Sequence, residues 1–364
     1  TFAIGSGNQT ILVGAGGLPV ITDAVNIDAR TQPGYTSTPI ITLNGSAATG
    51  STGGLVLRTN NSIISGFAVI NFPDEGIEID GSTGYGDDNT IQYNYVGLTT
   101  SGAGGGNADD GIIVSENADN NVIRNNVVGS NGNDGIVVRN TDSGGNWVWG
   151  NIVGLAPDGT TIRANGRYGV SVYDAGTNNI IGSNGDASND TAERNIISGN
   201  TSHGVYVSNT SSTQIRGNYI GTDITGSADL GNVGNGIYVT GGDSLVVDGN
   251  LVSGNDVYGI YLSSTGVTGA TLTGNIIGLN AAGTVSLLNG DHSLYLNSTS
   301  SATIGGTTVA ERNVINSAGG TYAVYLLGTT DTSIIGNYIG TDALGTTRLS
   351  GGSFAINNSL SANT

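Results

Sequence analysis

Apolar and polar residues alternate with a period of two in short segments that recur along the chain. Each segment is a small residue followed by an apolar, a variable and an apolar residue, as in Gly76 to Ile79, Gly135 to Val138 and Gly236 to Val239. This alternation is typical of short strands that bury one face. Successive copies are separated by 22 to 35 residues, and internal repetition at such a period indicates a solenoid.

The shortest repeat, Gly236 to Tyr258, shows how one coil is built. It holds three short apolar segments separated by turns. A chain that returns to the same inward pattern in every coil predicts a parallel β-helix, an all-β solenoid, here of about eleven or more coils. We expect one such domain over residues 1–364, with N-terminal coils over 1–50 and regular repeats over 51–364. Longer repeats, such as the one containing Gly221 to Val233, predict loops on one side of the coil.

A second repeated motif predicts a column of stacked amides. Gly-Asn-Tyr-Ile-Gly-Thr-Asp occurs at Gly217 to Asp223 and again at Gly336 to Asp342, and shorter relatives occur in other coils. Stacked asparagines can hydrogen-bond to one another, and Asn tolerates left-handed turn geometry. We interpret this repeat position as a structural ladder rather than a binding site. Its members are Asn94, Asn126, Asn151, Asn218, Asn250, Asn275 and Asn337.

These motifs carry a resemblance to a known superfamily. The Asn-Tyr-Ile-Gly-Thr-Asp units, the paired segments Ala192 to Ile197 and Ala310 to Ile315, and the opening Leu18 to Ile21 are similar to those of pectate-lyase-like proteins. The chain resembles the repeat-rich bacterial secreted and surface proteins of that superfamily. The resemblance implies a right-handed parallel β-helix and an extracellular or cell-surface location. It also implies a polysaccharide as a candidate partner, because enzymes of this superfamily cut or epimerise acidic polysaccharides.

Composition and charge exclude several classes of partner. The chain has 28 acidic and 10 basic residues, a formal net charge of −18, and every basic residue is Arg. Such a surface repels phosphate backbones, so we expect no nucleic-acid binding. No apolar run approaches the ~18 residues of a membrane helix, so we expect no membrane insertion. The absence of Cys excludes disulfides and thiol catalysis.

One acidic column is the candidate metal or catalytic site. Glu75, Asp110 and Asp134 each precede the small residue that opens a strand copy. In a β-helix they would stack at about the strand spacing, ~4.8 Å. Carboxylates this close share protons or recruit a hard cation such as Ca²⁺, although no cofactor is required by this hypothesis. A solvated acidic rim on an acidic protein is the alternative.

An aromatic row is the candidate binding surface. The middle, outward-facing position of five successive strand copies is Tyr. A rigid amphipathic row of this kind can contact sugar rings or another protein, or it can simply stabilise the sheet by cross-strand stacking. The row comprises Tyr206, Tyr238, Tyr261, Tyr295 and Tyr325. The two histidines, His203 and His292, lie in the position before the strand and are interpreted as turn residues.

The ends of the chain bear on assembly. Thr1 to Gly5 and residues 353–357 are both strand-like, with no amphipathic capping helix. This pattern leaves open a segment of a longer solenoid, ends that pair head to tail, or a monomer with covered ends.

The leading hypothesis is a non-enzymatic extracellular structural or adhesive protein that associates end to end into a filament or forms part of a longer surface protein. A lyase or hydrolase acting on acidic polysaccharide near Glu75, Asp110 and Asp134, and a glycan-binding module using the Tyr row, are the alternatives.

Overall fold

The computed structural model describes residues 1–140, 142–317, 321–349 and 354–362. The chain divides into two compact units, Thr1–Asn179 (unit 1) and Ile180–Thr364 (unit 2). The expectation of one domain over residues 1–364 stays a prediction. The described residues form two short helical elements, a 3-10 turn at Ala29–Thr31 and the helix α1 at Asp190–Glu193. None of the helices in the described part of the chain is long and apolar enough to cross a membrane.

Unit 1 consists of short strands of two to four residues, separated by turns. In the part of it that the structure describes, these are β1 (Gln9–Leu12), β2 (Asn26–Asp28), β3 (Ile41–Asn44), β4 (Leu55–Leu57), β5 (Ile63–Ser65), β6 (Phe67–Ile70), β7 (Ile77–Asp80), β8 (Thr90–Gln92), β9 (Tyr95–Val96), β10 (Ile112–Ser115), β11 (Val122–Arg124), β12 (Val127–Val128), β13 (Ile136–Arg139), β14 (Trp147–Trp149), β15 (Ile152–Val153) and β16 (Val170–Tyr173).

Three parallel sheets form unit 1. Sheet 1 has the order β1-β3-β6-β9-β12-β15, sheet 2 the order β4-β7-β10-β13-β16, and sheet 3 the order β2-β5-β8-β11-β14. From β4 onward the chain visits sheets 2, 3 and 1 in turn, so each coil adds one strand to every sheet.

Unit 2 repeats this plan with strands of two to six residues. Its described strands are β17 (Ile180–Gly182), β18 (Ile196–Ile197), β19 (Val205–Ser208), β20 (Gln214–Arg216), β21 (Tyr219–Ile220), β22 (Ile237–Val239), β23 (Gly242–Asp243), β24 (Val246–Asp248), β25 (Leu251–Val252), β26 (Ile260–Ser263), β27 (Val267–Thr268), β28 (Thr271–Thr273), β29 (Ile276–Ile277), β30 (Leu294–Asn297), β31 (Thr303–Gly305), β32 (Val314–Ile315), β33 (Tyr322–Leu327), β34 (Ser333–Ile335), β35 (Tyr338–Ile339) and β36 (Phe354–Ser359).

The sheets of unit 2 have the same three-sided arrangement. Sheet 1 runs β18-β21-β25-β29-β32-β35, sheet 2 runs β19-β22-β26-β30-β33-β36, sheet 3 runs β17-β20-β24-β28-β31-β34, and β23 pairs with β27. The strand expected over residues 353–357 corresponds to β36, and Ser353 lies outside the described residues. The all-β parallel coil predicted from the alternating pattern is therefore confirmed.

The inward positions of each coil stack into apolar columns that form the core. In sheet 2 of unit 1, Ile112 pairs with Ile77 on one side and Ile136 on the other, and all three side chains are fully buried. In unit 2, Ile237 and Ile260 pair in the same way and are also fully buried. Burial of one such side chain contributes about 1.5–3 kcal/mol, so the stacking of like residues on like stabilises every coil.

The predicted Asn ladder is confirmed at the corner between sheets 3 and 1. In unit 2, the Asn218 Nδ2 donates to Asn250 Oδ1 at 3.0 Å, and Asn250 Nδ2 donates to Asn275 Oδ1 at 3.1 Å. Each amide oxygen also accepts the main-chain N–H of the preceding ladder residue, as in Asn218 N to Asn250 Oδ1 at 3.0 Å. The ladder satisfies turn groups that water cannot reach, as buried polar groups require.

The ladders extend beyond the predicted residues. Asn195 and Asn313 belong to the predicted column, with Nδ2 to Oδ1 distances of 2.9 Å to Asn218 and 2.9 Å to Asn337. The corner between sheets 1 and 2 and the corner before sheet 3 carry further ladders, formed by Asn107, Asn131 and Asn165, by Asn200, Asn232, Asn255 and Asn289, and by Asn89, Asn121, Asn146 and Asn179.

Candidate functional site

The predicted acidic residues form one column in unit 1, at the start of the sheet 2 strands. Gly76 N donates to the main-chain oxygen of Asp110 at 3.0 Å, and Gly111 N donates to that of Asp134 at 2.9 Å. This register places Glu75, Asp110 and Asp134 in successive coils, as predicted. Their exposed fractions are 9%, 1% and 0%, so the column is sealed from solvent rather than forming a solvated rim.

Asp134 is fully occupied by partners within the protein. Its carboxylate accepts from Arg167 Nε at 2.8 Å and Nη2 at 2.9 Å, from Ser171 Oγ at 2.7 Å and from Tyr168 N at 3.0 Å. A carboxylate held in a two-pronged guanidinium contact has few lone pairs left for another ligand. Asp134 therefore acts as a structural anchor for the following coil.

Asp110 and Glu75 have pKa values raised toward neutral pH. Burial, and after it the charge of Asp134, raise the pKa of Asp110 to about 7, although Asp110 also accepts the Asp134 N–H at 2.9 Å. Burial likewise raises the pKa of Glu75 to about 7, assisted by the charges of Asp74, Glu78 and Asp109. Groups with such pKa values suit proton transfer, but at 1% exposure Asp110 touches no substrate in this conformation.

The structure groups Glu75 with Asp74 and Asp109 rather than with Asp110 and Asp134. One carboxylate oxygen from each of these three residues lies within 4.8 Å of the others. Hard oxygen ligands at this spacing suit Ca²⁺. Calcium binding in unit 1 stays a prediction, with a ligand set that shares only Glu75 with the predicted one.

The predicted tyrosines form a continuous row in unit 2. Strand pairing aligns Tyr206 with Tyr238, Tyr238 with Tyr261, Tyr261 with Tyr295, and Tyr295 with Tyr325. From Tyr238 to Tyr325 the rings lie nearly parallel, with interplanar angles of 13°, 12° and 22° and centroid distances of 5.1, 4.6 and 4.9 Å. The ring faces therefore lie against each other, so the partly exposed rings show their edges to solvent, whereas Tyr295 is buried.

A second column of rings flanks this row. Tyr258 packs edge to face against Tyr261 at 5.1 Å and against Tyr295 at 5.2 Å. His292 packs in the same way against Tyr295 at 5.7 Å and against Tyr325 at 5.0 Å. We call the combined surface the Tyr–His face; it comprises Tyr206, Tyr238, Tyr261, Tyr295 and Tyr325, with His203, Tyr258, His292 and Tyr322 beside them.

The two histidines are neutral acceptors of main-chain hydrogen bonds. His203 Nδ1 accepts Asn235 N at 2.9 Å, and His292 Nδ1 accepts Tyr322 N at 3.1 Å. Burial lowers the pKa of His203 to about 4 and also lowers that of His292. His292 Nδ1 also lies 3.1 Å from Asp291 Oδ1, and the charge of that carboxylate opposes the lowering of the His292 pKa by burial.

Sequence reasoning missed part of this face. Tyr258 and Tyr322 stand in the position before the strand, which His203 and His292 also occupy. Aligning the repeats on that column reveals a second aromatic row, because Tyr258 and Tyr322 share it with the two histidines that the sequence analysis interprets as turn residues. The missed signal was a repeat position in which aromatic residues replace the acids of unit 1.

Comparisons with known proteins agree with this architecture. The family model described as the right handed beta helix region matches residues 158–339, which is half of the 364 residues. No curated protein matches the chain. Among solved structures, the Dettilon tailspike protein (gp208) is 15% identical, with a TM-score of 0.63 over 96% of this chain and 61% of the tailspike. The chain thus spans about three fifths of the tailspike.

Two further structures are more distant. The A-module of the Azotobacter vinelandii mannuronan C-5 epimerase AlgE4 is 13% identical, with a TM-score of 0.45 over 97% of this chain and 90% of the module. The catalytic unit of a GH87 α-1,3-glucanase from Streptomyces thermodiastaticus strain HF3-3 is 12% identical, with a TM-score of 0.40 over 97% and 62%. At these identities the likeness concerns the fold alone. On the family match and its own coil geometry, the chain belongs to the right-handed β-helix family.

Proposed function

We propose that the protein is a non-enzymatic extracellular adhesin whose Tyr–His face binds polysaccharide. The observation that carries this proposal is the row of five tyrosines held in register by the strands of sheet 2. The row repeats at the strand spacing, about 4.8 Å. That spacing is close to the length that one pyranose unit adds to an extended polysaccharide.

The orientation of the rings decides how a sugar is held. Because the faces of Tyr238, Tyr261 and Tyr295 stack on each other, a sugar contacts the partly exposed, hydroxyl-bearing edges of Tyr238 and Tyr261, whereas Tyr295 is buried and supports them. Burial raises the pKa of Tyr238, and it raises that of Tyr295 to about 12. Both of these phenols therefore stay neutral, and that of Tyr238 can donate to a sugar hydroxyl.

The face is rigid before any ligand arrives. Each ring is held by its neighbours along the row, and the second column closes the gaps from the side. A surface that is already ordered loses little side-chain entropy on binding, which favours affinity. Ring-to-ring stacking also stabilises sheet 2 by itself, so binding and stability are separate consequences of the same row.

Removal of the hydroxyls alone tests the proposal. The double variant Tyr238→Phe/Tyr261→Phe keeps the stacked rings and removes two polar edges. We expect it to bind the preferred member of a purified polysaccharide panel about tenfold more weakly, because each lost hydrogen bond contributes about 0.5–1.5 kcal/mol. Affinity electrophoresis followed by calorimetry measures this change.

A matched control distinguishes the loss of hydroxyls from the Tyr–His face from the loss of a tyrosine hydroxyl elsewhere in the protein. Tyr85 lies in unit 1 and is 57% exposed, so Tyr85→Phe should leave the affinity unchanged. Equal binding by the double variant and the unchanged protein would refute the proposal, as would the absence of binding to every polysaccharide in the panel.

The enzymatic alternative and the filament stay predictions. Asp110 is buried, and the carboxylate of Asp134 is hydrogen-bonded to Arg167, so neither carboxyl group is accessible to a substrate. End-to-end association needs no residue of the Tyr–His face and is compatible with adhesion.

A further inference from the structure

Unit 2 contains a second polar depression, away from sheet 2. A cavity of about 220 Å³ is lined by Ser183, Asp190, Arg194, Arg216 and Asp248. A neighbouring cavity of about 130 Å³ is lined by Arg194, Tyr219, Leu251 and Ile276. Arg194 and Gly249 line both cavities, which therefore lie side by side; we call the pair the Arg194 groove, with a charged part and an apolar part.

Two of the ten arginines meet in this groove, and both retain free donors. Arg194 Nε donates to Gly217 O at 3.1 Å, and its guanidinium lies 3.9 Å from the centre of the Tyr219 ring. Arg216 donates through Nε to Gln214 Oε1 at 2.9 Å and through Nη1 to Asp248 Oδ2 at 3.3 Å. Within the described residues, both Nη groups of Arg194 and Nη2 of Arg216 have no hydrogen-bond partner.

The carboxylates of the groove are held in place by hydroxyl groups. Asp190 Oδ1 accepts Ser183 Oγ at 2.8 Å, and Asp248 Oδ1 accepts Thr273 Oγ1 at 2.7 Å. The lining therefore carries two positive and two negative charges. This balance suits one sugar unit that carries a carboxylate among several hydroxyls better than it suits a simple anion.

We infer that the groove binds one uronic-acid unit of an acidic saccharide. Arg194 and Arg216 receive its carboxylate, because a guanidinium fork matches a planar carboxylate. Asp190 and Asp248 accept from its ring hydroxyls, and Ile276 contacts its C–H groups. A volume of about 220 Å³ lies below the usual range for drug-sized ligands, so it suits a single sugar unit. This inference goes beyond the Tyr–His face and does not depend on it.

The repeat supplies a control for the structural role of Arg194. Arg312 Nε donates to Gly336 O at 3.0 Å, and its guanidinium lies 4.0 Å from the centre of the Tyr338 ring. The position that corresponds to Arg216 is Ile335 in that coil. Arg312 therefore shares the stacking of Arg194 but lacks the second guanidinium.

The experiment is calorimetric titration of the whole protein with tri-galacturonate, with maltotriose and sodium acetate as comparison ligands. We expect tri-galacturonate alone to bind with measurable affinity. Arg194→Gln and Arg216→Gln should each weaken it by about tenfold or more, because each removes a charge-assisted contact. Arg194→Lys should weaken it less, and Arg312→Gln should leave it within about twofold.

Several outcomes would overturn the inference. They are an equal loss of affinity in Arg312→Gln, acetate or maltotriose binding as tightly as tri-galacturonate, and no binding of tri-galacturonate at millimolar concentration. The Tyr238→Phe/Tyr261→Phe variant should bind tri-galacturonate in the groove normally, so failure of the groove and failure of the Tyr–His face give different results.

Discussion

At the scale of single residues, Asp110 shows what the coil does to a carboxyl group. It is 1% exposed and its pKa is raised to about 7, first by burial and then by the charge of Asp134. Its place in a column with Glu75 could be predicted, because all three acids precede the strand-opening small residue. The partners of Asp134 could not, since Arg167 and Ser171 come from the next coil and no local pattern links them to it.

This pKa makes the stability of unit 1 depend on pH. The folded state holds the Asp110 proton more tightly than the unfolded state, whose pKa is 3.8. Stability from this group is therefore present below about pH 4 and is lost as the pH rises toward 7. We expect Asp110→Asn, which keeps the acceptor for the Asp134 N–H, to be more stable than the unchanged protein at pH 8 by on the order of 2 kcal/mol.

Urea unfolding at pH 5 and pH 8 measures this difference. The gain from Asp110→Asn should shrink at the lower pH, where the native carboxyl is increasingly protonated in the folded state. A variant that is equally or less stable than the unchanged protein at pH 8 would show that Asp110 is ionised without penalty.

At the scale of elements, the repeated heptapeptide is a corner followed by a hairpin. In Gly217 to Asp223, Gly217 has a φ of 66°, Asn218 joins the ladder, and Tyr219–Ile220 is β21. Gly221 has a φ of 93°, and an added Cβ would lie 2.2 Å from Ser253 O. The final Asp223 Oδ1 accepts Ser227 N at 2.8 Å and Ala228 N at 2.9 Å, which closes the inserted loop.

Strands, ladder and inserts were therefore predictable from local pattern, and the exceptions have a physical reason. Asn195 and Asn313 were missed because each follows an Arg, whereas five of the seven predicted members follow a Gly. Asn195 is followed in the chain by Ile196, Ile197 and Ser198. Ser198 Oγ donates to Thr222 O at 2.7 Å, so a hydroxyl occupies the corner in place of Gly. The ladder depends on the amide and not on the residue after the strand.

Removal of one amide from the Asn ladder should destabilise unit 2 strongly. Asn250→Ala removes the acceptor of Asn218 Nδ2, the donor to Asn275 Oδ1 and the donor to Ile215 O. We expect a loss of about 2–4 kcal/mol in the free energy of unfolding, because buried groups are left without partners. Urea denaturation measures it. Asn8→Ala, at an exposed position, should change stability by less than about 0.5 kcal/mol; equal effects would argue against the ladder as a stabilising element.

At the scale of the whole molecule, one scaffold carries two kinds of chemistry. Unit 1 has buried acids in the position before the sheet 2 strands, whereas unit 2 has His203, Tyr258, His292 and Tyr322 there. Regular repetition made the coil predictable. The same regularity makes the sites hard to predict from sequence. A repeat position forms a binding surface only when several adjacent coils place compatible side chains there. The Arg194 groove shows this most clearly, since its lining comes from successive coils of unit 2 between Ser183 and Ala281.

The central claim is that the Tyr–His face binds a polysaccharide chain along its row of hydroxyl edges. The most direct test is the affinity of the whole protein for a length series of oligosaccharides from the preferred polysaccharide, measured by calorimetry. A row of five tyrosines predicts affinity that increases with each added sugar up to about five units and then levels off, with a shallower increase in Tyr238→Phe/Tyr261→Phe. Affinity that is independent of length beyond one or two sugars, or a series identical in the double variant, would contradict the account.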